Sequence, residues 1–258
     1  NAIKYFNRCV EINPNAKIIL AGCLSERYAE IFEESLPEVD GIFGNGKIES
    51  IKKVIADIQN KNRSVVVEPQ EGVSCGERRT FLSFRGSAFV KITEGCSNHC
   101  SFCAIPLIRG ELRSRKADDI VEEIENLVSK GIKEINLIGQ DLAAYGTGFS
   151  DNVFGTGRTS LPIVSEMGSS FETDEKSGLA LLLEKISKIQ GDFIVRLLYI
   201  HPDHFNKDIL PIMKSDNRFL PYFDIPFQSG DDKIIKAMNR IGSAQNYISL
   251  VEEIKSVF

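Results

Sequence analysis

No stretch of this chain approaches the roughly 20 consecutive apolar residues that a membrane-spanning helix requires. A membrane-embedded role is therefore not expected. The chain also lacks a surplus of basic residues, with 31 Lys and Arg against 36 Asp and Glu and a formal charge of -5. Phosphate neutralisation needs the opposite balance, so direct nucleic-acid binding is not expected either. The first residues, Asn1 to Arg8, do not resemble a signal peptide. These absences predict a cytoplasmic protein, in a compartment where thiols stay reduced, and the six cysteines read as ligands or catalysts rather than disulfides.

What is present is ordinary globular material: 42% hydrophobic and 26% charged residues over 258 positions, enough to bury the core of one large domain or a large and a small one. Residues 1–60 alternate helix and strand in short units, with an apolar run at 17–21, a helix at 24–36, a strand at 39–43 and a helix at 47–59. This predicts a small parallel-sheet domain, or part of one. Residues 61–86 contain Pro69, Gly72, Gly76 and the pair Arg78-Arg79 without sustained periodicity, and are expected to be an interdomain connector.

From residue 87 onward strand and helix patterns alternate: strands near 88–93, 134–138, 193–200 and 222–226, each followed by helix. Four such units predict an α/β fold with a parallel sheet and right-handed crossovers, which an open doubly wound sheet and a partial barrel satisfy equally. Residues 147–177 are rich in Gly, Ser and Thr and predict a long surface excursion. The chain starts inside one apolar period and stops inside another, so a fragment of a longer protein is expected.

Cys96, Cys100 and Cys103 fall within eight residues, just after the first strand of the second domain. Ligands collect at the carboxyl ends of strands in parallel β/α folds, so position and spacing both point to a metal centre. Soft thiolates select zinc, copper(I) or iron-sulfur clusters. A zinc site with His99 or a more distant fourth ligand, in a non-catalytic binding module, is one outcome. A four-iron cluster on three protein sulfurs, leaving one iron open to a ligand, is another. The other strand ends bring Gln140, Asp141, Arg196 and Gln228 toward the same face as candidate cofactor contacts, with Phe102 near the cysteines, whereas His201 and His204 read as structural. Arg109, Arg113 and Arg115 form a basic run that could offset the charge of a thiolate-bound cluster or meet an acidic substrate.

The spacing Cys96-x-x-x-Cys100-x-x-Cys103, with Phe102 before the last cysteine, resembles the radical S-adenosylmethionine signature. The longer run from Gly95 to Arg115 resembles the methylthiotransferases of that family. Ala104-Ile-Pro-Leu-Ile-Arg-Gly, Gly139-Gln-Asp-Leu-Ala-Ala-Tyr-Gly, Arg196-Leu-Leu-Tyr-Ile-His-Pro and Pro221-Tyr-Phe-Asp-Ile-Pro resemble the RimO branch, whereas Gln228-Ser229-Gly230 looks more like the tRNA-modifying MiaB branch. Ala21-Gly-Cys-Leu-Ser-Glu-Arg-Tyr resembles the end of the family's N-terminal domain.

The resemblance implies the end of a methylthiotransferase N-terminal domain (1–60), a connector (61–86) and an incomplete radical-SAM (β/α) partial TIM barrel (87–258). It implies a 4Fe-4S cluster on Cys96, Cys100 and Cys103, an auxiliary 4Fe-4S cluster of which Cys23 is one ligand, and S-adenosyl-L-methionine. It also implies an aspartate of ribosomal protein S-twelve as substrate, an electron donor such as flavodoxin or ferredoxin, and a sulfur donor.

Overall fold

The computed structural model describes residues 2–68, 72–73, 86–147 and 176–258. Most of the expected connector, Cys75 and nearly all of the predicted excursion at 147–177 lie outside them. The chain divides into two compact units, Asn1–Ser74 with Leu107–Arg109, and Cys75–Pro106 with Gly110–Phe258. Among the described residues no helix is long and apolar enough to cross a membrane.

The first unit holds helix α1 (Ala2–Ile12) and a three-stranded parallel sheet, β1 (Ile19–Ala21), β2 (Gly41–Phe43) and β3 (Ser64–Val66), in the order β1-β2-β3. The crossovers are α2 (Cys23–Ser35), and a 3-10 turn running into α3 (Ile51–Gln59). Ile42 and Val54 are fully buried, and Phe43, Ile58 and Val66 nearly so, which makes a small core between sheet and helix. Strand β3 falls where the sequence predicted connector. Its neighbour Arg63 explains the difference: the guanidinium donates to the carbonyls of Glu33, Leu36 and Val39 at 2.8–3.1 Å, capping the otherwise orphaned end of α2 and seating the third strand.

The second unit is built on a four-stranded parallel sheet, β4 (Ser87–Lys91), β7 (Glu134–Ile138), β8 (Ile194–Leu197) and β9 (Phe219–Phe223). Between β4 and β7 lie the two-residue strands β5 (Thr93–Glu94) and β6 (Arg113–Ser114), helix α4 (Ile105–Arg109) and helix α5 (Ala117–Ser129). Helices α6 (Gly178–Ile186), α7 (Ile209–Ser215), α8 (Asp232–Ala237) and α9 (Ala244–Val257) follow in chain order. Among the described residues the strand order β4-β7-β8-β9 runs in sequence without reversal, with no switch point. That progression is the winding of a barrel, and it resolves the choice left open by the sequence.

Residue patterning explains the layers. Along α5, Ala117, Ile120, Ile124 and Leu127 recur at three- and four-residue steps, placing one fully apolar stripe on the sheet. It belongs to one buried cluster with Val90, Ile135, Leu137, Val195 and Leu197, all of them fully buried. Burying each such side chain stabilises the fold by about 1.5–3 kcal/mol before chain entropy is counted. The opposite face carries half-exposed and polar groups: Phe89, and Asn136, which donates to Ser87 Oγ at 2.8 Å.

Candidate functional site

The cysteine loop leaves the sheet at the carboxyl end of β4 and is closed at its base by the antiparallel pair β5–β6. Gly95, with φ +81°, makes the entry turn, and a Cβ there would collide with the carbonyls of Gly110 and Glu111. Cys96 N–H donates to Gly110 O at 3.1 Å, Leu112 N–H to Ser97 Oγ at 3.1 Å, and Gly95 N–H to Gln140 Oε1 at 2.8 Å. From the far side the segment after α8 grips the loop. Ser101 donates to Met238 O and Ala237 O, and Asn239 donates to His99 O, at 2.9–3.1 Å.

Cys96, Cys100 and Cys103 are free thiols, each partly buried in this loop. Burial pushes the Cys96 thiol up to about 11. It also raises the Cys100 thiol, against the opposing pull of the Arg240 guanidinium. A soft cation that binds such thiols takes them as thiolates and releases their protons to solvent. Three of them in one preorganised loop suit a thiolate-bound metal centre.

A cavity of about 270 Å³ opens beside Cys96 and Cys100, floored by Asn98, Asp141, His201 and His204. Asp141, at the end of β7, accepts from His204 Nδ1 at 2.6 Å, Asn98 Nδ2 at 3.2 Å, Ala143 N at 3.0 Å and His201 N at 3.3 Å. Burial opposes its charge, but the hydrogen bond and charge of His204, with His201 and Asn98, hold it below the usual carboxylate range. Burial likewise disfavours the His204 cation, and Asp141 more than offsets this and raises its pKa. Burial pushes His201 down to about 4, so it stands neutral beside the pair, with Nε2 unpartnered among the described residues. Asp141, His201 and His204 offer ligand atoms within 4.8 Å of one another. Both Asp141 oxygens are already occupied by donors, so the geometry is that of a buried ion pair tethering the cysteine loop.

The other expected contacts fall differently. Asp141 is 1% exposed and lies on the floor of the cavity beside Cys96 and Cys100, with both of its oxygens accepting hydrogen bonds. Gln140 faces the entry to the cysteine loop through Gly95. Phe102 is exposed, and Gln228 is exposed with φ +68°. Arg196 is half-buried, pairs with Glu134 at 2.9 Å and lies over the Tyr222 ring at 4.8 Å. The basic run does not stay together. Arg115 turns inward to Glu123 at 2.6 Å and Lys91 O at 2.9 Å, while Arg113 donates to Glu111 O at 2.7 Å. Cys23 is exposed at the start of α2 in the first unit, directly after β1.

The Radical SAM superfamily matches residues 90–258, which take in the cysteine loop and the second unit's sheet from the end of β4 onward. The chain belongs to the radical SAM superfamily. A radical SAM enzyme uses an iron-sulfur cluster with S-adenosylmethionine, and the three clustered thiols fit such a cluster. The chain is 53% identical over 95% of its length to the ribosomal protein uS12 methylthiotransferase RimO of Treponema denticola, covering 51% of that protein. It is 37% identical over 99% of its length to the protein of the same name from Dictyoglomus thermophilum, covering 53% of it. The chain thus spans about half the length of the curated relatives it matches. Among solved structures it resembles the radical S-adenosylmethionine methyltransferase TsrM of Kitasatospora setae, with TM-score 0.59, 11% identity, and coverage of 94% of this chain and 48% of that one. It also resembles the cobalamin-dependent radical enzyme OxsB, with TM-score 0.59, 13% identity, and coverage of 99% and 37%. At these identities the structural likeness speaks for the fold alone, and the superfamily match supersedes the zinc-module reading.

Proposed function

We propose that the chain is part of a methylthiotransferase that adds a methylthio group to the β-carbon of an aspartate in ribosomal protein S-twelve. The observation that carries this reading is the free-thiol loop of Cys96, Cys100 and Cys103 at the carboxyl end of the first barrel strand, in a chain 53% identical to a uS12 methylthiotransferase. When bound, the cluster and S-adenosylmethionine supply the hydrogen-abstracting reactivity that no side chain possesses. The protein's own residues hold and orient. The three thiolates bind a 4Fe-4S cluster, and Gly95, Gln140 and the Ala237–Asn239 segment fix their loop. The Asp141–His204 pair anchors it through Asn98. Phe102, Gln140, Asp141, Arg196 and Gln228 border the S-adenosylmethionine.

Cys23 would supply one ligand of a second 4Fe-4S cluster in the first unit, a group that would furnish the sulfur to be transferred. A flavodoxin or ferredoxin delivers the electrons, and a separate sulfur donor replenishes the second cluster. The test is turnover by the full-length enzyme, reconstituted anaerobically, on S-twelve and on tRNA in parallel. Methylthiolated aspartate by mass spectrometry supports the proposal, while modification of tRNA alone assigns the chain to the other branch.

A further inference from the structure

Arg240 is 8% exposed, and a buried guanidinium requires a compensating anion. Among the described residues it forms no ion pair with a carboxylate. Its Nη1 donates to the neutral carbonyl of Pro226 at 2.8 Å, and its charge acts on the Tyr247 hydroxyl and the Cys100 thiol beside it. Its Nε has no partner among the described residues. The carboxylate of Asp203 makes no ion pair with it either: its oxygens accept from Tyr247 Oη at 2.8 Å and Ile241 N at 3.0 Å.

The placement is built rather than incidental. Asn239, in the left-handed conformation at φ +57°, ends α8 and donates to His99 O, so the backbone delivers the next residue behind the cysteine loop. The Asp203 bonds to Ile241 and Tyr247 pin the residues that follow. Asp231 caps the start of α8 by accepting from Lys233 and Ile234 at 2.8 and 3.1 Å.

We infer that Arg240 is a potential-setting residue: its buried guanidinium takes the thiolate-bound cluster as its counter-anion through Cys100 and makes that cluster easier to reduce. The inference rests on Cys100 being a cluster ligand. A fixed positive charge beside the centre stabilises the state carrying one more electron, and hydrogen bonds to the sulfurs act in the same direction. The step itself is the gain of one electron by the oxidised cluster from a low-potential one-electron donor, with no bond made or broken.

The experiment is a redox titration of the full-length protein, reconstituted with iron and sulfide and reduced by dithionite, followed by electron paramagnetic resonance. Wild type, R240Q and R240K are compared, each with its iron content measured. At the potential where half of the wild-type cluster is reduced, R240Q should show a ratio of reduced to oxidised cluster about tenfold lower, equivalent to about 59 mV for a one-electron couple. R240K keeps the charge but loses the planar fork, and should show a smaller fall in the same direction, which decides the matter if R240Q fails to fold. Full iron content with an unchanged or increased ratio in a folded variant overturns the inference. Loss of iron from wild type itself, or full iron retained in C100A, overturns instead the assignment of Cys100 on which it rests.

Discussion

His204 Nδ1 lies 2.6 Å from Asp141 Oδ2, with both side chains buried at the ends of adjacent strands. Because a carboxylate only accepts, the imidazole donates, and the pair joins β7, the turn after β8 and, through Asn98, the cysteine loop. Removing one partner leaves an unpaired buried charge. Asp141→Ala should therefore destabilise the protein by about 3–5 kcal/mol and loosen the cysteine loop. Denaturant melts of the metal-free full-length protein check the first effect, and hydrogen exchange at residues 96–100 the second.

Acid should weaken the fold through His201. Burial lowers its pKa from the ordinary 6.5 to about 4, while Asp141, His204, Asp203 and Arg240 face it from the surrounding elements. Between those values the unfolded chain binds a proton that the folded chain refuses, so stability falls as pH drops from 6.5 to 4, by roughly 3 kcal/mol from this group. The other two groups act outside that window. The raised His204 stabilises fully below 6.5 and loses its contribution only as pH climbs through its elevated value; the depressed Asp141 is fully effective above 3.8 and fails only at lower pH. Urea melts at pH 7 and pH 4.5 on wild type and His201→Asn should show a steeper acid loss in wild type, and equal losses would refute the assignment.

Gly95→Ala should cost about 1–3 kcal/mol, since a Cβ at φ +81° meets the carbonyls of Gly110 and Glu111. The strain falls on the residue before Cys96. Iron bound per chain after reconstitution should drop, whereas Gly230, which has no positive φ and whose Cβ would meet nothing within 4 Å, should tolerate alanine with unchanged iron.

Ile124→Ala should destabilise the second unit by about 2–5 kcal/mol, because a fully buried side chain between α5 and the sheet leaves a cavity. For a chain of this size that is a fall in melting temperature of roughly 5–15 °C by calorimetry.

Much of this architecture was legible because it is local. The three- and four-residue spacing of Ala117, Ile120, Ile124 and Leu127 announces α5, and Cys96, Cys100 and Cys103 announce a metal loop through spacing and their place after β4. What the sequence hid depends on partners far along the chain. His201 and His204 read as structural until Asp141, some 60 residues away, is placed against them. Arg115 reads as part of a basic run until β5–β6 pairing turns it onto Glu123. Strand β3 is three residues long, and Arg63 marks it only once α2 ends beside it. Arg240 carried no signal at all, since nothing in its neighbours shows that it will be buried behind Cys100.

The central claim is that Cys96, Cys100 and Cys103 hold the iron-sulfur cluster that works on S-adenosylmethionine. Its most direct measurement is iron content and 5′-deoxyadenosine formation by the full-length, anaerobically reconstituted and reduced protein, wild type against the C96A/C100A/C103A variant. The account predicts a brown wild-type protein that cleaves S-adenosylmethionine, and a variant that has lost that activity together with the iron of this cluster while keeping its fold. A variant that retains cleavage and the full iron of wild type, or a colourless wild-type protein holding stoichiometric zinc, would contradict it.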